Sequence, residues 1–272
     1  MIRSLKELEN FAIHATDGDI GHVKDFYFDD ESWVIRYLVV DTGTWLSSRK
    51  VLISPFAMGR PDLAEKVLRA SITRDQVSNS PDIDTDEPVS RQDEMRYLGY
   101  YGYPYYWGGA GLWGSGTFPN AMLAGDGGFV PVPDAAGPGT GKGFPRADPH
   151  LRSFNTVMGH HVEATDGDIG HVQGLLVEEE TWAVRYLVVE TSNWWLGHQV
   201  LIATGWIGAV SWPDATVGVK MTRREIRDSP SYDASKRLQR WQEMAIHEHY
   251  GRACYFVGDT RPDPGEGEGR PA

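Results

Sequence analysis

The sequence is poor in cysteine, in basic residues and in long apolar runs. Its 272 residues contain a single cysteine, Cys254, which excludes an internal disulfide framework and is compatible with a reducing cytoplasm. No run approaches the roughly 20 apolar residues of a membrane span, and residues 1–11 lack the apolar core of a signal peptide. The net charge of −12 argues against nucleic acid or anionic lipid as the main partner. We therefore expect a cytoplasmic protein with no membrane insertion and no nucleic-acid partner.

The chain lacks the short repeats of solenoids but contains one long repeat. Residues 15–23 (ATDGDIGHV) recur letter for letter as residues 164–172, an offset of 149 positions. The same offset holds without a gap for the strand-like segment 33–42, which matches 182–191. A repeat of this length is the size of a domain, so the sequence predicts two copies of one small fold.

Each copy predicts several short strands separated by turns. Asp17-Gly18 is a hairpin turn dipeptide, since Gly and, more weakly, Asp tolerate a positive φ. A short helical or turn segment is expected at residues 73–77. The strand candidates of the first copy, chosen for β-branched and aromatic residues between turn signals, are 11–15, 20–28, 33–40, 50–53 and 66–72. Closely spaced antiparallel strands without long helices favour a small barrel or sandwich.

The order of these motifs resembles the PRC-barrel domain. A DG turn and Gly21-His22-Val23 precede an acidic turn, which is followed by WVIRYLVV at 33–40, Trp45 and VLI at 51–53. The resemblance covers residues 1–83 and 150–232. It implies a small β-barrel of the kind found in the cytoplasmic part of the photosynthetic reaction centre H subunit and in a ribosome maturation factor. Characterised members are assembly and contact modules, and the family brings no catalytic residues.

The predicted fold class is mainly β: two small antiparallel β-barrels (PRC-barrel-like), each followed by an α-helix and joined by a Gly/Pro/aromatic-rich linker. Linker flexibility is expected from residue 108 onward, because 14 of the chain's 31 glycines lie between residues 99 and 143. The predicted segments are barrel copy 1 (1–83), helix and aromatic segment (84–107), flexible linker (108–149), barrel copy 2 (150–232), helix and C-terminal segment (233–258) and disordered tail (259–272).

The two trailing helices have different start signals. In the first copy, Pro88 marks the start, and Ser90 and Asp93 with Glu94 resemble a capping box. In the second copy, a run from residue 233 to 250 is expected to be helical, with Gly251 as a C-cap. The residues predicted to share one face of this second helix are Leu238, Trp241, Ala245 and His249.

The repeated acidic turn has two interpretations. It could bind a metal, but Asp-Gly-Asp is too short for a calcium loop, so turn formation is favoured. The structural turn residues are Asp17, Gly18, Gly21, Asp166, Gly167 and Gly170. His22 and His171 follow these turns and are the best single candidates for proton transfer or metal ligation. No Cys/His partner recurs at ligand spacing, so a structural role is favoured for both histidines and no metal or cofactor is expected.

Three further features are interpreted as structural. Arg36 and Arg185 could bind an anion, but we expect each guanidinium to reach a carboxylate such as Glu31 or Asp41 or to stack on an aromatic ring. His247 and His249, two apart on a helix, point to opposite sides and are not expected to chelate a metal. Cys254 lacks a nearby basic activator and is expected to be inert.

Aromatic residues in loops are the candidates for an interface. The Trp residues after the third strand of each copy are equally consistent with binding hot spots and with plugs over a barrel end. The aromatic opening of the segment between the copies is expected to pack on a barrel or on the other copy. The possible interface residues are Trp45, Trp194, Trp195, Tyr101, Tyr105 and Trp107.

The sequence therefore predicts a non-catalytic protein that acts as a protein–protein contact or assembly module. The two barrels are expected to pair within the chain, with a homo-oligomer as a further possibility and an unidentified protein as partner. One alternative is a small-ligand or metal-binding protein or hydrolase that uses His22 and His171. Another is an accessory role in the photosynthetic apparatus like that of the reaction centre H subunit, which rests on fold analogy.

Overall fold

The structure, a computed structural model, describes residues 1–82, 89–119, 150–191 and 198–256. It is mainly β, as predicted. The strands of the first half are β1 (Ile2–Ser4), β2 (Ala12–Ala15), β3 (Gly18–Asp29), β4 (Val34–Asp41), β5 (Lys50–Ile53), β6 (Met58–Asp62) and β7 (Val67–Ala70). Those of the second half are β8 (Leu151–Ser153), β9 (His161–Ala164), β10 (Gly167–Glu178), β11 (Val184–Glu190), β12 (Gln199–Ala203), β13 (Ile207–Ser211), β14 (Thr216–Val219) and β15 (Ser231–Tyr232).

Short helices separate the strands in both halves. Those of the first half are α1 (Leu5–Leu8), α2 (Arg74–Ser78) and α3 (Arg91–Tyr101), and those of the second are α4 (Phe154–Val157), α5 (Arg223–Arg227) and α6 (Arg240–His249). Each element from β1 to α3 thus has a counterpart in the same order about 149 residues later. Among the residues just named, no helix is long and apolar enough to cross a membrane.

The strands form two sheets. One has the order β5-β4-β3-β2-β7-β6, and β8 pairs with β3 beside this path. The other has the order β13-β14-β9-β10-β11-β12-β15, and β1 pairs with β10. In both halves the second strand pairs in parallel with the seventh, β2 with β7 and β9 with β14. The finer prediction that each half closes into a barrel stays a prediction.

The chain divides into two compact units that are not continuous in sequence. The first comprises Met1–Gly159 together with Gly174–Leu187, and the second comprises His160–Gln173 together with Val188–Ala272. Parts of β10 and β11 therefore belong to the first unit, although both strands lie in the second half of the sequence. These residues belong to the first unit because β1, at the start of the chain, pairs with β10.

Within the first unit, each half of the chain receives a strand from the other half. Strand β1 pairs antiparallel with residues 176–178 of β10, and β8 pairs antiparallel with residues 27–29 of β3. Matched ion pairs flank both ladders: the guanidinium of Arg3 contacts the carboxylate of Glu179, and Nε of Arg152 lies 2.7 Å from Oδ2 of Asp30. The exchange is reciprocal, because Arg3 and Arg152 occupy equivalent positions of the repeat, as do Asp30 and Glu179.

A second reciprocal contact joins the turns that precede β4 and β11. The backbone N–H of Ile35 donates to the carbonyl oxygen of Trp182 at 2.9 Å, and that of Val184 donates to Trp33 at 2.7 Å. Both tryptophans adopt a left-handed backbone, with φ of 54° and 57°. A bulky residue in this conformation is held by its surroundings, so the two turns fix each other.

Several predicted boundaries are wrong. Strands β1 and β6 and helix α1 were not expected, because their short segments lack a clear hydrophobic period. The helix expected from residue 233 begins at Arg240, after a turn in which the side chain of Asp233 accepts from the backbone N–H of Ser235 at 3.0 Å. Trp241, expected on the packed face of that helix, is 68% exposed.

The flexible linker predicted from residue 108 is also wrong in its first part. Residues 108–119 pack in the first unit, where Trp113 is 1% exposed and its Nε1–H donates to the carbonyl oxygen of Thr181 at 2.8 Å. The remainder of the predicted linker, 120–149, and the tail, 259–272, lie outside the described residues.

Two of the repeated glycines are required by close backbone approach. A Cβ atom added to Gly21 would lie 2.0 Å from the carbonyl oxygen of Asp41, and one added to Gly170 would lie 1.9 Å from that of Glu190. Their φ angles, 156° and 140°, are also ones that side chains disfavour. Both glycines let β3 and β10 cross the end of the neighbouring strand.

We predict that Gly21→Ala lowers the free energy of unfolding by at least about 2 kcal/mol, because the added methyl group would overlap the backbone at Asp41. The control is Gly43→Ala, which has φ of 60° and no atom within 4 Å of the new Cβ. It should cost only about 1 kcal/mol, the left-handed penalty itself. Urea denaturation measures both variants, and equal losses would contradict the close-approach explanation.

Candidate functional site: a buried glutamate beneath an aromatic pair

The repeated turn is used to hold a helix. In the first half, Oδ1 of Asp17 accepts from the backbone N–H of Arg74 at 2.8 Å, and in the second half Oδ1 of Asp166 accepts from Arg223 at 2.7 Å. Each aspartate thus satisfies a free N–H at the start of α2 or α5. The two-residue turn itself is formed by residues 16–17, with Gly18 already paired with Ala15.

The two histidines that follow the repeated turns, His22 and His171, are not part of a cluster of metal-ligand side chains among the described residues. His22 is exposed on β3, and the Nε2 of His171 lies 3.0 Å from the amide nitrogen of Gln173. In the described part of the chain, no three His, Cys, Asp or Glu side chains are grouped as metal ligands would be. The hypothesis that His22 and His171 bind a ligand or a metal therefore stays a prediction.

Trp45 covers the end of its own strands. It lies in a 3-10 turn at Gly43–Leu46, where its Nε1–H donates to the carbonyl oxygen of Ile20 at 2.5 Å. The guanidinium of Arg74 lies over the indole ring, 4.3 Å from its centroid. The ring is half-buried, and the prediction that Trp45 belongs to an interface stays a prediction. The other two candidates of this loop type, Trp194 and Trp195, lie outside the described residues.

The most unusual group in the first unit is the carboxylate of Glu94, which is fully buried on α3. Its Oε2 accepts from the hydroxyl of Tyr37 at 3.1 Å and from that of Tyr106. Its Oε1 lies 2.9 Å from Nε2 of His150 and 3.4 Å from Nη1 of Arg91. A buried charge is tolerated only when it is paired and hydrogen-bonded. Oε2 has two hydrogen bonds, whereas Oε1 has His150 and Arg91 as neighbours and forms no hydrogen bond of good geometry among the described residues.

These partners come from different parts of the fold. Tyr37 lies on β4, Arg91 on the same helix as Glu94, Tyr106 in the aromatic segment, and His150 just before β8. The carboxylate therefore connects the trailing helix, the aromatic segment and the exchanged strand to the sheet. Burial and the charge of Glu94 raise the pKa of both tyrosines well above their usual value, so both hydroxyls stay protonated donors.

Arg36 forms a second layer of this network. Its guanidinium lies 3.9 Å from the ring centroid of Tyr106 and 4.8 Å from that of Trp113, and Nη1 donates to the carbonyl oxygen of Leu112 at 2.7 Å. The predicted aromatic stacking is confirmed. Burial lowers the pKa of the guanidinium, although the nearby Tyr106 and Asp29 oppose the shift.

Each strand arginine lies near a carboxylate, as predicted, but that carboxylate is neither Glu31 nor Asp41, the two residues given as examples. The nearest carboxylate of Arg36 is Asp29, with 3.8 Å between Nη2 and Oδ2. The equivalent Arg185 pairs with Glu178, with 3.0 Å between Nε and Oε2. In both halves the partner is the last residue of the preceding strand, which the pairing of β3 with β4 and of β10 with β11 brings close.

Two stacked aromatic side chains, the exposed Tyr105 and the half-buried Trp107, pack against the glutamate network. Trp107 packs edge-on against Tyr106 at 4.9 Å and lies under the guanidinium of Arg91 at 4.3 Å. Tyr105, 43% exposed, stacks on Trp107 with ring centroids 4.7 Å apart. Tyr105 and Trp107, called here the aromatic pair, are thus held by contacts that lead to Glu94. The third candidate of this segment, Tyr101, instead stacks inward on Tyr103 at 5.4 Å.

The second unit contains an equivalent network around Glu243. Glu243 on α6 is buried, accepts from the hydroxyl of Tyr255 at 2.8 Å and lies 3.3 Å from Nη1 of Arg240. Arg240 lies over the ring of Phe256 at 4.0 Å. The sequence carried a signal for this arrangement, because Arg-x-x-Glu at 91–94 and Tyr106 recur at the 149-residue offset.

Three residues of the second unit have ordinary structural surroundings. His247 and His249 contact different carbonyl oxygens, those of Ala253 at 2.9 Å and Glu225 at 2.7 Å, as expected for side chains on opposite sides of a helix. Burial raises the pKa of the Cys254 thiol, which lowers its thiolate fraction.

Both carboxylates are closed off from solvent. Glu94 and Glu243 are 0% and 2% exposed, so a substrate in solution does not reach either group in this structure. The arrangement can position surface residues, because hydrogen bonds to Glu94 hold α3 and Tyr106 together, and Trp107 packs on Tyr106 and Arg91.

We predict that Glu94→Gln lowers the free energy of unfolding by about 2–4 kcal/mol, since an amide turns one acceptor oxygen into a donor facing buried donors. The matched control is Glu248→Gln at an exposed position of α6, which should change stability by less than about 0.5 kcal/mol. Thermal and urea denaturation of both variants provide the measurement. Equal, small effects would show that the buried carboxylate is not a structural anchor.

Comparison with known proteins agrees with the resemblance in the first half. The profile of the PRC-barrel domain family matches residues 2–77. An uncharacterised protein of Deinococcus radiodurans is 38% identical over 82 residues. That alignment covers 30% of this chain and 29% of the relative, so most of both proteins lies outside it. Residues 2–77, which include β1 to β7, are thus the part of this chain that is similar to the PRC-barrel domain family.

Proposed function

We propose that the protein is a non-catalytic contact module in which two PRC-barrel repeats pair within one chain and present the aromatic pair to a protein partner. The observation that carries the proposal is the support of Tyr105 and Trp107 by the buried Glu94 network. The proposal extends the family assignment to residues 150–232, on the strength of the equivalent element order and the reciprocal exchange of β1 and β8.

Pairing of the two repeats within one chain would take the place of pairing between two separate chains. A strand that each half gives to the other is the kind of contact that homodimers make across a twofold axis. When both halves lie in one chain, this contact forms without dependence on protein concentration. The outer surface then remains available for a different protein.

The aromatic pair has the properties of a binding hot spot. Tyr and Trp are enriched at the centre of interfaces, since they bury a large area at a low cost in conformational entropy. Rings held in place before binding lose little freedom on association. Here Tyr106, Arg91 and Glu94 supply that support from below.

We predict that a photocrosslinking residue, benzoylphenylalanine, placed at position 105 in the full chain captures one discrete protein in cells of the source organism. The control is the same residue at position 63, because Leu63 is 46% exposed and Tyr105 43%. Replacing Trp107 with Ala in the crosslinking chain should reduce the captured product at least about tenfold, as expected for loss of a hot-spot residue.

A thermal melt of each chain shows that the fold is retained. The same product at positions 63 and 105, or no effect of Trp107→Ala in a folded chain, would contradict a contact role for the aromatic pair.

A further inference from the structure

Four strands end the two described sheet paths: β5 and β6 in one sheet, and β13 and β15 in the other. The outer edge of such a strand carries backbone N–H and C=O groups that can pair with a strand of another molecule. Proteins protect these edges by keeping them short, by covering them, or by placing prolines and charges on them.

Three of the four end strands are protected, each in a different way. At β5, the hydroxyl of Tyr97 donates to the carbonyl oxygen of Leu52 at 3.0 Å and accepts from the backbone N–H of Ser54 at 3.1 Å. Strand β15 is only two residues long. Strand β6 contains a proline, Pro61, and an exposed charge, Arg60, which lies 3.2 Å from the carboxylate of Glu180.

Strand β13 lacks the protection of its counterpart β6. The two strands read IGAVS and MGRPD at the 149-residue offset, so Ala209 stands where the first half has Arg60, and Val210 where it has Pro61. In the described sheet β13 pairs with β14 alone, and its five residues are half-buried or exposed. The second half therefore presents an uncharged edge strand without proline.

The backbone of Val210 faces outward from this edge. Both strands have a register shift before this position, and after it the registers agree: Pro61 lies opposite Leu68, and Val210 opposite Val217. A proline in an edge strand lies where its missing N–H would point away from the neighbouring strand. The N–H of Val210 therefore points away from β14, and so does its carbonyl oxygen, because both groups of a residue in an antiparallel ladder point to the same side.

We propose that β13 pairs antiparallel with β13 of a second copy of this chain, across a twofold axis at Val210. In this register the two Val210 residues donate to and accept from each other, as in any hydrogen-bonded antiparallel pair. Ala209 of each copy lies opposite Ser211 of the other, so small side chains meet and like charges do not. The contact is isologous and closes at two copies.

The charge of the chain favours this strand as the contact. Two chains that each carry a net charge of −12 repel one another, and an uncharged strand is a place where they can approach. The pairing differs from the exchange of β1 and β8, which takes place within one chain. It also does not rest on the proposed contact role of the aromatic pair. Because the ladder is short, the dimer should be weak and should dissociate on dilution.

The test is sedimentation velocity of the full chain between about 1 and 100 µM, the range in which a small interface is expected to dissociate. The unmodified chain should change reversibly from monomer to dimer. Val210→Pro removes both central N–H donors and should raise the dissociation constant at least about tenfold. The first half already holds a proline at this register, and a thermal melt shows whether the variant is folded.

The matched control is Val210→Thr, which keeps the N–H and a β-branched side chain and should leave the dimer intact. A second measurement needs no variant: amide exchange of residues 207–211 in the unmodified chain should slow as the protein concentration rises. The proposal is overturned by a monomer at every concentration, by exchange that does not depend on concentration, by a dimer that persists in folded Val210→Pro, or by equal weakening in Val210→Thr.

Discussion

The reciprocal pairing of β1 with β10 and of β8 with β3 is the constraint on which the rest of the first unit depends. It places residues 174–187 in a compact unit with residues 1–159. It also brings His150, just before β8, to the carboxylate of Glu94. Without the exchanged strand, that buried charge would lose a partner, and the helix and the aromatic segment above it would lose their common anchor.

The networks around Glu94 and Glu243 show how a duplicated fold can differentiate. Both keep an arginine and a tyrosine on the carboxylate, and the first also has Tyr37, His150 and the stacked pair Tyr105–Trp107 beside it.

Much of the architecture was predictable, because β-branched strands and a 149-residue offset are local signals. The exchange of β1 and β8 was not predictable. The sequence of a strand does not distinguish pairing within its own half from pairing with the other half. Glu94 was missed because a glutamate on a short helix usually faces water, and only its recurrence with Arg91 and Tyr106 distinguished it. The packed segment at 108–119 was hidden by its glycine content, although Trp113 within it is buried.

The most direct test of the account is native-state hydrogen exchange of the peptides that cover residues 1–8 and 150–157. If the two halves pair through exchanged strands, both peptides should be protected to the same degree as β3 and β10, because their amides open only when those strands separate. Exchange of residues 1–8 at the rate of an unstructured terminus, while β10 stays protected, would contradict it.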